Sequence, residues 1–382
     1  MTAPRRASPS RTAIVGLTAL AIAMGVGRFA FTPILPMMQV EARLSIAEGA
    51  SLASANYIGT LMGAVAATLV RVPLAPAIRA GLLTIGLATI AMGFERRVMG
   101  WTMLRFVAGF ATGWVLPLAS GWALERLAAA RRPVLNATVF AGFGVGIATA
   151  GVICIALMRA RATSEHAWIV LGVLSLAATA VVWPFFANGV VASARHASGE
   201  PIGGSLDAGR LVLCYGGFGF GYIVPATFLP VMARQAVHDP GVFGWAWPVF
   251  GITAAASTFA AARWARSLGH RRLWSLGHLV MALGVVLPVL LPGIVAIMLC
   301  ALLVGGMFTV ITMAGFQEAR DVGGVTMIAA LASAFAIGQI GGPLVVRGVV
   351  RGDGSFAAAL LIAGAVLVGT AALLAVRARQ AA

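Results

Sequence analysis

Few side chains in this sequence can do chemistry, and most of them lie in apolar surroundings. The stretch GVGRFAFTPILP, residues 25–36, carries Arg28 inside a run that is otherwise apolar from Ala13 to Met38. An arginine at the centre of a membrane-length segment costs about 2.5–3.5 kcal/mol on insertion scales, so such a residue faces a helix-bundle interior or a water-filled cavity. At about 1.5 Å per residue, Arg28 stands roughly 20 Å from the start of the run and about 12 Å from Pro36, too deep to reach either surface easily. It therefore needs an acceptor.

Eleven acidic residues are available in principle. Glu41, Glu48, Glu95, Glu125, Glu165, Glu200, Asp207, Asp239, Asp321 and Asp353 fall in expected loops or at helix ends, and Glu318 falls at the end of a span. None is placed to pair with Arg28 at mid-depth. Three acceptors remain open. One is an anionic substrate, since a planar guanidinium suits two-pronged binding of a carboxylate. Another is a set of backbone carbonyls exposed near Pro33, or side-chain amides, which would make Arg28 a brace between helices. The third is an acid that lies deeper than its place in the sequence indicates.

Other polar groups in apolar runs face the same requirement for a partner. Asn56, Tyr57 and Gln339 are each candidates for ligand contact or for interhelical bonds, Arg105 near the end of its span for ligand contact, snorkelling or a structural bond, and Trp114 for stacking on a substrate. Trp245 and Trp247, near the end of a run, read as interfacial anchors. His278 is the one imidazole well inside a run and reads as structural. Arginine does not deprotonate in proteins, so Arg28 cannot relay a proton. The cysteines Cys154, Cys214 and Cys300 all lie in apolar runs, with no disulfide or zinc spacing. No cofactor is expected, and no His/Asp/Cys cluster points to an enzyme. The absence of a GxxxxGK[ST] motif argues against direct ATP use.

The elements that position these residues are membrane helices. The 382 residues are 60% hydrophobic and only 10% charged, with a mean hydropathy of +0.97, against roughly 25% charged in soluble domains. Runs of about 20 apolar residues, enough to cross a bilayer, recur at approximately 13–38, 49–70, 77–94, 100–122, 134–158, 167–187, 208–233, 242–262, 272–291, 293–316, 323–347 and 355–376. All 27 basic residues are arginine. With the N-terminus inside, 17 of them fall on the inner side, eight outside, and Arg28 and Arg105 within spans. This bias predicts both termini in the cytoplasm. The same reading explains the net charge of +16 without nucleic acid.

The longest polar segment, Asn188 to Asp207, separates six spans from six, giving an N-terminal half over 1–190, a linker over 191–207 and a C-terminal half over 208–382. The halves also align. GVGRFAFTPILPMM at 25–38 matches GFGYIVPATFLPVM at 219–232, pairing Gly25 with Gly219, Gly27 with Gly221, Pro36 with Pro230 and Arg28 with Tyr222 at an offset of 194. Transporters are commonly built from such repeats. Gly25 and Gly27 leave room for close helix approach, Pro33 and Pro36 predict a kink, and Gly144 in AGFGVGIATAG with Gly341 and Pro343 in GQIGGP predict packing surfaces between helices.

Six plus six helices with an intervening linker resemble the major facilitator superfamily. RFVAGFATG, with Arg105, Gly109 and Gly113, is similar to its fourth-helix motif. ARSLGHRR after the eighth span is similar to its basic hairpin, without the aspartate. GVGRFAFTPILP, SANYIG, RFVAGFATGW and AIGQIGGPL together resemble its YbfB/YjiJ-type branch. The resemblance implies an all-α polytopic protein of two pseudo-symmetric six-helix halves. It also implies a central cavity lined by the first, fourth, seventh and tenth helices, bringing Arg28, Tyr222 and Arg105 around one chamber. The expectation is an inner-membrane transporter, acting as a monomer on a small organic, carboxylate-bearing substrate. Export of neutral or amphipathic compounds, and a sensor built on a transporter scaffold, are the alternatives.

Overall fold

The computed structural model describes residues 8–70, 72–186, 206–350 and 354–375. Twelve helices in these residues are long and apolar enough to cross a membrane. They are α1 Pro9–Glu41, α2 Ile46–Leu69, α3 Leu74–Phe94, α4 Val98–Ala129, α5 Asn136–Arg159, α6 Ser164–Phe185, α7 Leu206–Ala236, α8 Pro240–Ala261, α9 His270–Leu290, α10 Ile294–Gly323, α11 Thr326–Val349 and α12 Ala357–Ala375. The chain is a multi-pass membrane protein. Of the expected linker, only Leu206 and Asp207 are among the described residues, and they open α7.

Helix starts follow local chemistry. Ser45 caps α2 in a reciprocal arrangement with Glu48, satisfying backbone donors that the first turn leaves free. Thr163 accepts from the backbone of α6. α10 runs directly into α11, and the chain doubles back at the join. Phe308 and Phe335 both pack on the Tyr222 ring, at centroid distances of 5.0 and 5.4 Å, whereas a straight helix would hold them roughly 40 Å apart.

Glycines decide how closely the helices approach. Gly59 and Gly63 of α2 face the carbonyls of Phe106 and Phe110, while Gly109 and Gly113 of α4 face those of Asn56 and Thr60, so a Cβ at any of the four would lie 2.0–2.2 Å from a carbonyl oxygen. Gly142 and Gly146 of α5 pack on the backbone of α1 at Leu17 and Ala21. In the other half Gly338 sits against Gly216 and the Phe220 backbone of α7, and Gly342 against the Ile223 side chain. Gly341, expected to pack closely, instead meets only the Phe220 ring at ordinary contact distance. Gly144 crosses between halves, facing Gly251 and Ala255 of α8.

The two halves meet along α1 and α7, at a point the sequence repeat defines. Thr32 donates its hydroxyl to the Ala226 carbonyl at 3.2 Å, and Thr32 and Ala226 are equivalent positions at the offset of 194. The carbonyl is free because Pro230, four residues on, has no N–H to donate to it. Two further hydrogen bonds join the halves among the described residues: Tyr57 with Thr227 at 2.9 Å and Arg234 to the Pro36 carbonyl at 2.9 Å. All three lie at the level of Arg28 or toward the Glu41 end of α1, so the halves are hydrogen-bonded together at that end.

Candidate functional site

The site begins with a defect in α1. Residues Ala21–Arg28 form a π-helix, which gives way to a turn at Phe29 and Ala30 before the helix resumes at Phe31. Pro33 cannot donate to Phe29; Thr32 takes that carbonyl instead, at 3.2 Å, which leaves the Arg28 carbonyl without its helical donor. Wide turns of this kind expose backbone oxygens, and in an apolar interior each needs a partner.

Side chains from α2 and α4 supply them. Arg105 donates to the Arg28 carbonyl at 2.7 Å and to that of Gly27 at 3.4 Å, with its guanidinium over the Phe31 ring. Asn56 donates to Gly27 at 3.1 Å and to the Arg105 carbonyl at 2.9 Å. Thr112 donates to Ala23 at 3.1 Å. Arg105 and Asn56 therefore hold the break in α1, each donating to backbone carbonyls, while the Arg105 Nε has no partner among the described residues. Gly27 is required here because a Cβ would lie 2.3 Å from the Thr112 hydroxyl, and Gly25 because a Cβ would lie 2.4 Å from the Gly146 backbone.

What this frame presents is Arg28. The residue is 4% exposed, and its guanidinium lies over the rings of Tyr57 and Phe29, at 4.8 and 5.3 Å. It also lies beside the Tyr222 hydroxyl. Gln339 donates to that hydroxyl, and Tyr57 bonds Thr227. The Nε and Nη2 of Arg28 have no hydrogen-bond partner among the described residues. These two atoms share one edge of the planar group, the edge that receives both oxygens of a carboxylate or phosphate. Neither Arg28 nor Arg105 forms an ion pair among the described residues, where the ion pairs are Arg96 with Glu165, Asp207 with Arg210 and Arg271, and Arg271 with Glu318. Glu200 and Asp353, two of the acids placed in loops, lie outside the described residues.

Arg28, Tyr57, Tyr222 and Gln339 thus come together, across the boundary between halves. Trp114 does not join them. Its indole donates to the Ala77 carbonyl of α3 at 3.1 Å and packs on Phe110. Trp114→Phe is accordingly expected to lower the thermal midpoint by the loss of one hydrogen bond, about 1 kcal/mol, with no change in any ligand response measured by the same melt. Pro343 lies within α11, and Pro36 within α1 where its carbonyl takes the Arg234 bond.

Trp247 corrects the interfacial-anchor expectation. It is fully buried, stacks on Phe250 and meets the Phe29 ring edge-on at 5.6 Å, and its indole Nε1 has no partner among the described residues. Trp245, by contrast, is exposed. Thr227, Trp247, Phe308 and Phe335 are the site neighbours that sequence reading missed. Thr227 was the accessible one, one residue beyond the repeat equivalent of Thr32. His278 is buried and satisfied on both ring nitrogens, by Trp274 at 2.9 Å and Thr370 at 2.8 Å.

Two six-helix repeats closing on a buried cationic site at mid-depth define a membrane carrier. The chain belongs to the family described as the uncharacterised MFS-type transporter YbfB, whose profile matches residues 20–375. Among solved structures, the nucleoside transporter NupG is similar at 13% identity and a TM-score of 0.69, over 96% of this chain and 100% of that one. A point mutant of the same transporter gives 14% identity and a TM-score of 0.71, over 95% of this chain and 98% of that one. The human organic anion transporter MFSD10 (TETRAN) is similar at 16% identity and a TM-score of 0.67, over 96% of this chain and 100% of that one. A comparison with curated proteins finds no match. At these identities the structural likeness establishes the fold alone.

Proposed function

We propose that this transporter moves a small organic anion by alternating access, with Arg28 holding the anionic group. One observation carries the reading: the Nε and Nη2 edge of a buried guanidinium is unpartnered, inside a site that offers no carboxylate among the described residues. A buried charge left in that condition is costly, and an oxyanion with two oxygens on one centre relieves it with two charge-assisted bonds. Tyr222, Gln339, Tyr57 and Thr227 surround the same point and supply further polar contacts. Arg105 and Asn56 position Arg28 without touching the ligand. The aromatic rings of Phe308 and Phe335 beside Tyr222 give the remainder of the substrate an apolar wall.

In this reading the present conformation is closed at the Glu41 end. Opening that end requires the Thr32, Tyr57 and Arg234 bonds between halves to break. The arginine bias supports cytoplasmic termini, and with them an outward-facing Glu41 end in a bacterial inner membrane.

The test is a thermal-shift screen of the detergent-purified protein against organic anions, cations and neutral solutes, run beside Arg28→Gln. A ligand that binds the folded state raises its midpoint. Stabilisation confined to anions and lost in a still-folded Arg28→Gln supports the reading. A sharply lowered midpoint in unliganded Arg28→Gln, with no anion distinguishing the two proteins, would make the arginine a structural brace.

A further inference from the structure

We propose that this carrier is an obligate exchanger: it reorients when Arg28 holds an anion and is nearly immobile when empty. This rests on the anion reading above and adds the coupling mode, which neither the family nor the sequence specifies.

The argument starts from the charge in the closed site. Among the described residues, Arg28 is buried with two unpartnered donors, and Arg105, also buried, lies one backbone carbonyl away with its own Nε unpartnered. Two fixed positive charges therefore share the centre of the bundle. The described acidic residues all sit toward helix ends or in the connections: Glu41, Glu48, Glu95, Glu125, Glu165, Asp207, Asp239, Glu318 and Asp321. Neither arginine can shed its charge, because guanidinium groups do not deprotonate in proteins.

Alternating access must pass through a state closed at both ends. When the cavity is open, water solvates the Arg28 edge. On closure that water is removed, and an uncompensated charge in low dielectric becomes expensive. The aromatic faces of Tyr57 and Phe29 offset part of this, since cation–π contact is favourable but weaker than a charge-assisted pair. A bound monoanion cancels one charge and fills both vacant bonds. The barrier to closure is then lower for the loaded carrier than for the empty one. Since one anion must leave and another bind before the return step, the carrier swaps one oxyanion-bearing solute for another.

The test reads reorientation directly and needs no identified substrate. Ala226 is wholly buried where α1 and α7 cross, so a cysteine there is reached only when the Glu41 end opens. Ala226→Cys is introduced in a chain whose three buried cysteines are replaced by alanine, and labelled in nanodiscs by a membrane-impermeant maleimide in carboxylate-free buffer. The expected result is slow labelling with Arg28 intact and at least tenfold faster labelling with Arg28→Gln. Equal rates in the two proteins overturn the proposal.

A second measurement requires no change at position 28. Any organic anion that raises the midpoint of the Arg28 protein in the thermal screen should also speed its labelling at least tenfold. An anion that stabilises but leaves labelling slow overturns exchange while the binding reading stands. If no anion stabilises and Arg28→Gln is still fast, the anion reading fails while charge control of reorientation is retained.

Discussion

Arg28→Lys is expected to abolish most of the anion-dependent rise in thermal midpoint while leaving the unliganded protein folded. The charge survives the substitution, but the edge does not. A lysine ammonium is a compact point charge on a flexible stem and cannot present two parallel N–H groups to two oxygens. Hydrogen bonds to charged groups contribute about 1.5–3 kcal/mol, so losing one of the pair weakens binding by roughly tenfold to a hundredfold. At a ligand concentration of 100 Kd, binding stabilises the folded state by about 2.7 kcal/mol; after a hundredfold loss the same concentration gives about 0.4 kcal/mol. Melting curves with and without the anion measure the difference. An undiminished shift in Arg28→Lys would mean that charge alone holds the ligand, and the two-pronged geometry would be discarded.

Most of the membrane architecture was legible because bilayer thickness forces a length and a polarity on each span. The expected spans coincide with the observed helices to within a few residues at most ends. α4 and α10 are the exceptions, continuing from expected ends near 122 and 316 to Ala129 and Gly323, because Glu125 and Arg126 in the one, and Glu318, Arg320 and Asp321 in the other, are polar enough to hide a helix from a hydropathy argument. The repeat was legible as well: the offset of 194 aligns Thr32 with Ala226, and those two residues touch.

The site was legible only in part, for a reason that lies in the backbone. Arg28, Tyr57 and Gln339 follow from the rule that buried polar groups need partners, Tyr222 from its match to Arg28 in the repeat, and the four come together. The same rule could not say which partners. Arg105 and Asn56 were drawn to carbonyls released by a π-helix, and no residue pattern in AIAMGVGR announces that winding, whose prolines lie after it. Trp247 departs from the anchor expectation because its ring packs on Phe29 across the boundary between halves, a contact that distance along the span does not reveal.

Helix α4 carries a prediction with an internal control. Gly109→Ala is expected to be among the most damaging single-methyl changes in the protein, while Gly121→Ala, twelve positions along the same helix, is expected to be neutral or stabilising. At Gly121 an added Cβ meets nothing within 4 Å, so only the lower conformational entropy of alanine matters, a gain of about 0.5–1 kcal/mol. At Gly109 the Cβ would stand 2.1 Å from the Asn56 carbonyl oxygen, against roughly 3.3 Å for an ordinary carbon–oxygen approach. Both partners are helical backbone, so relief requires α2 and α4 to separate by about 1 Å. A gap of that size forfeits a quarter to a half of each affected dispersion contact, and overpacking costs typically about 1–3 kcal/mol. The separation also pulls Asn56 away from the Arg105 carbonyl that it bonds at 2.9 Å, loosening the pair that fixes the Gly27 and Arg28 backbone. Gly109→Ala should therefore lower both the melting midpoint and the anion response, although residue 109 touches no ligand. Parallel melts of the two variants check this, and a Gly109→Ala protein that melts and binds like Gly121→Ala would show that α2 does not position the arginine.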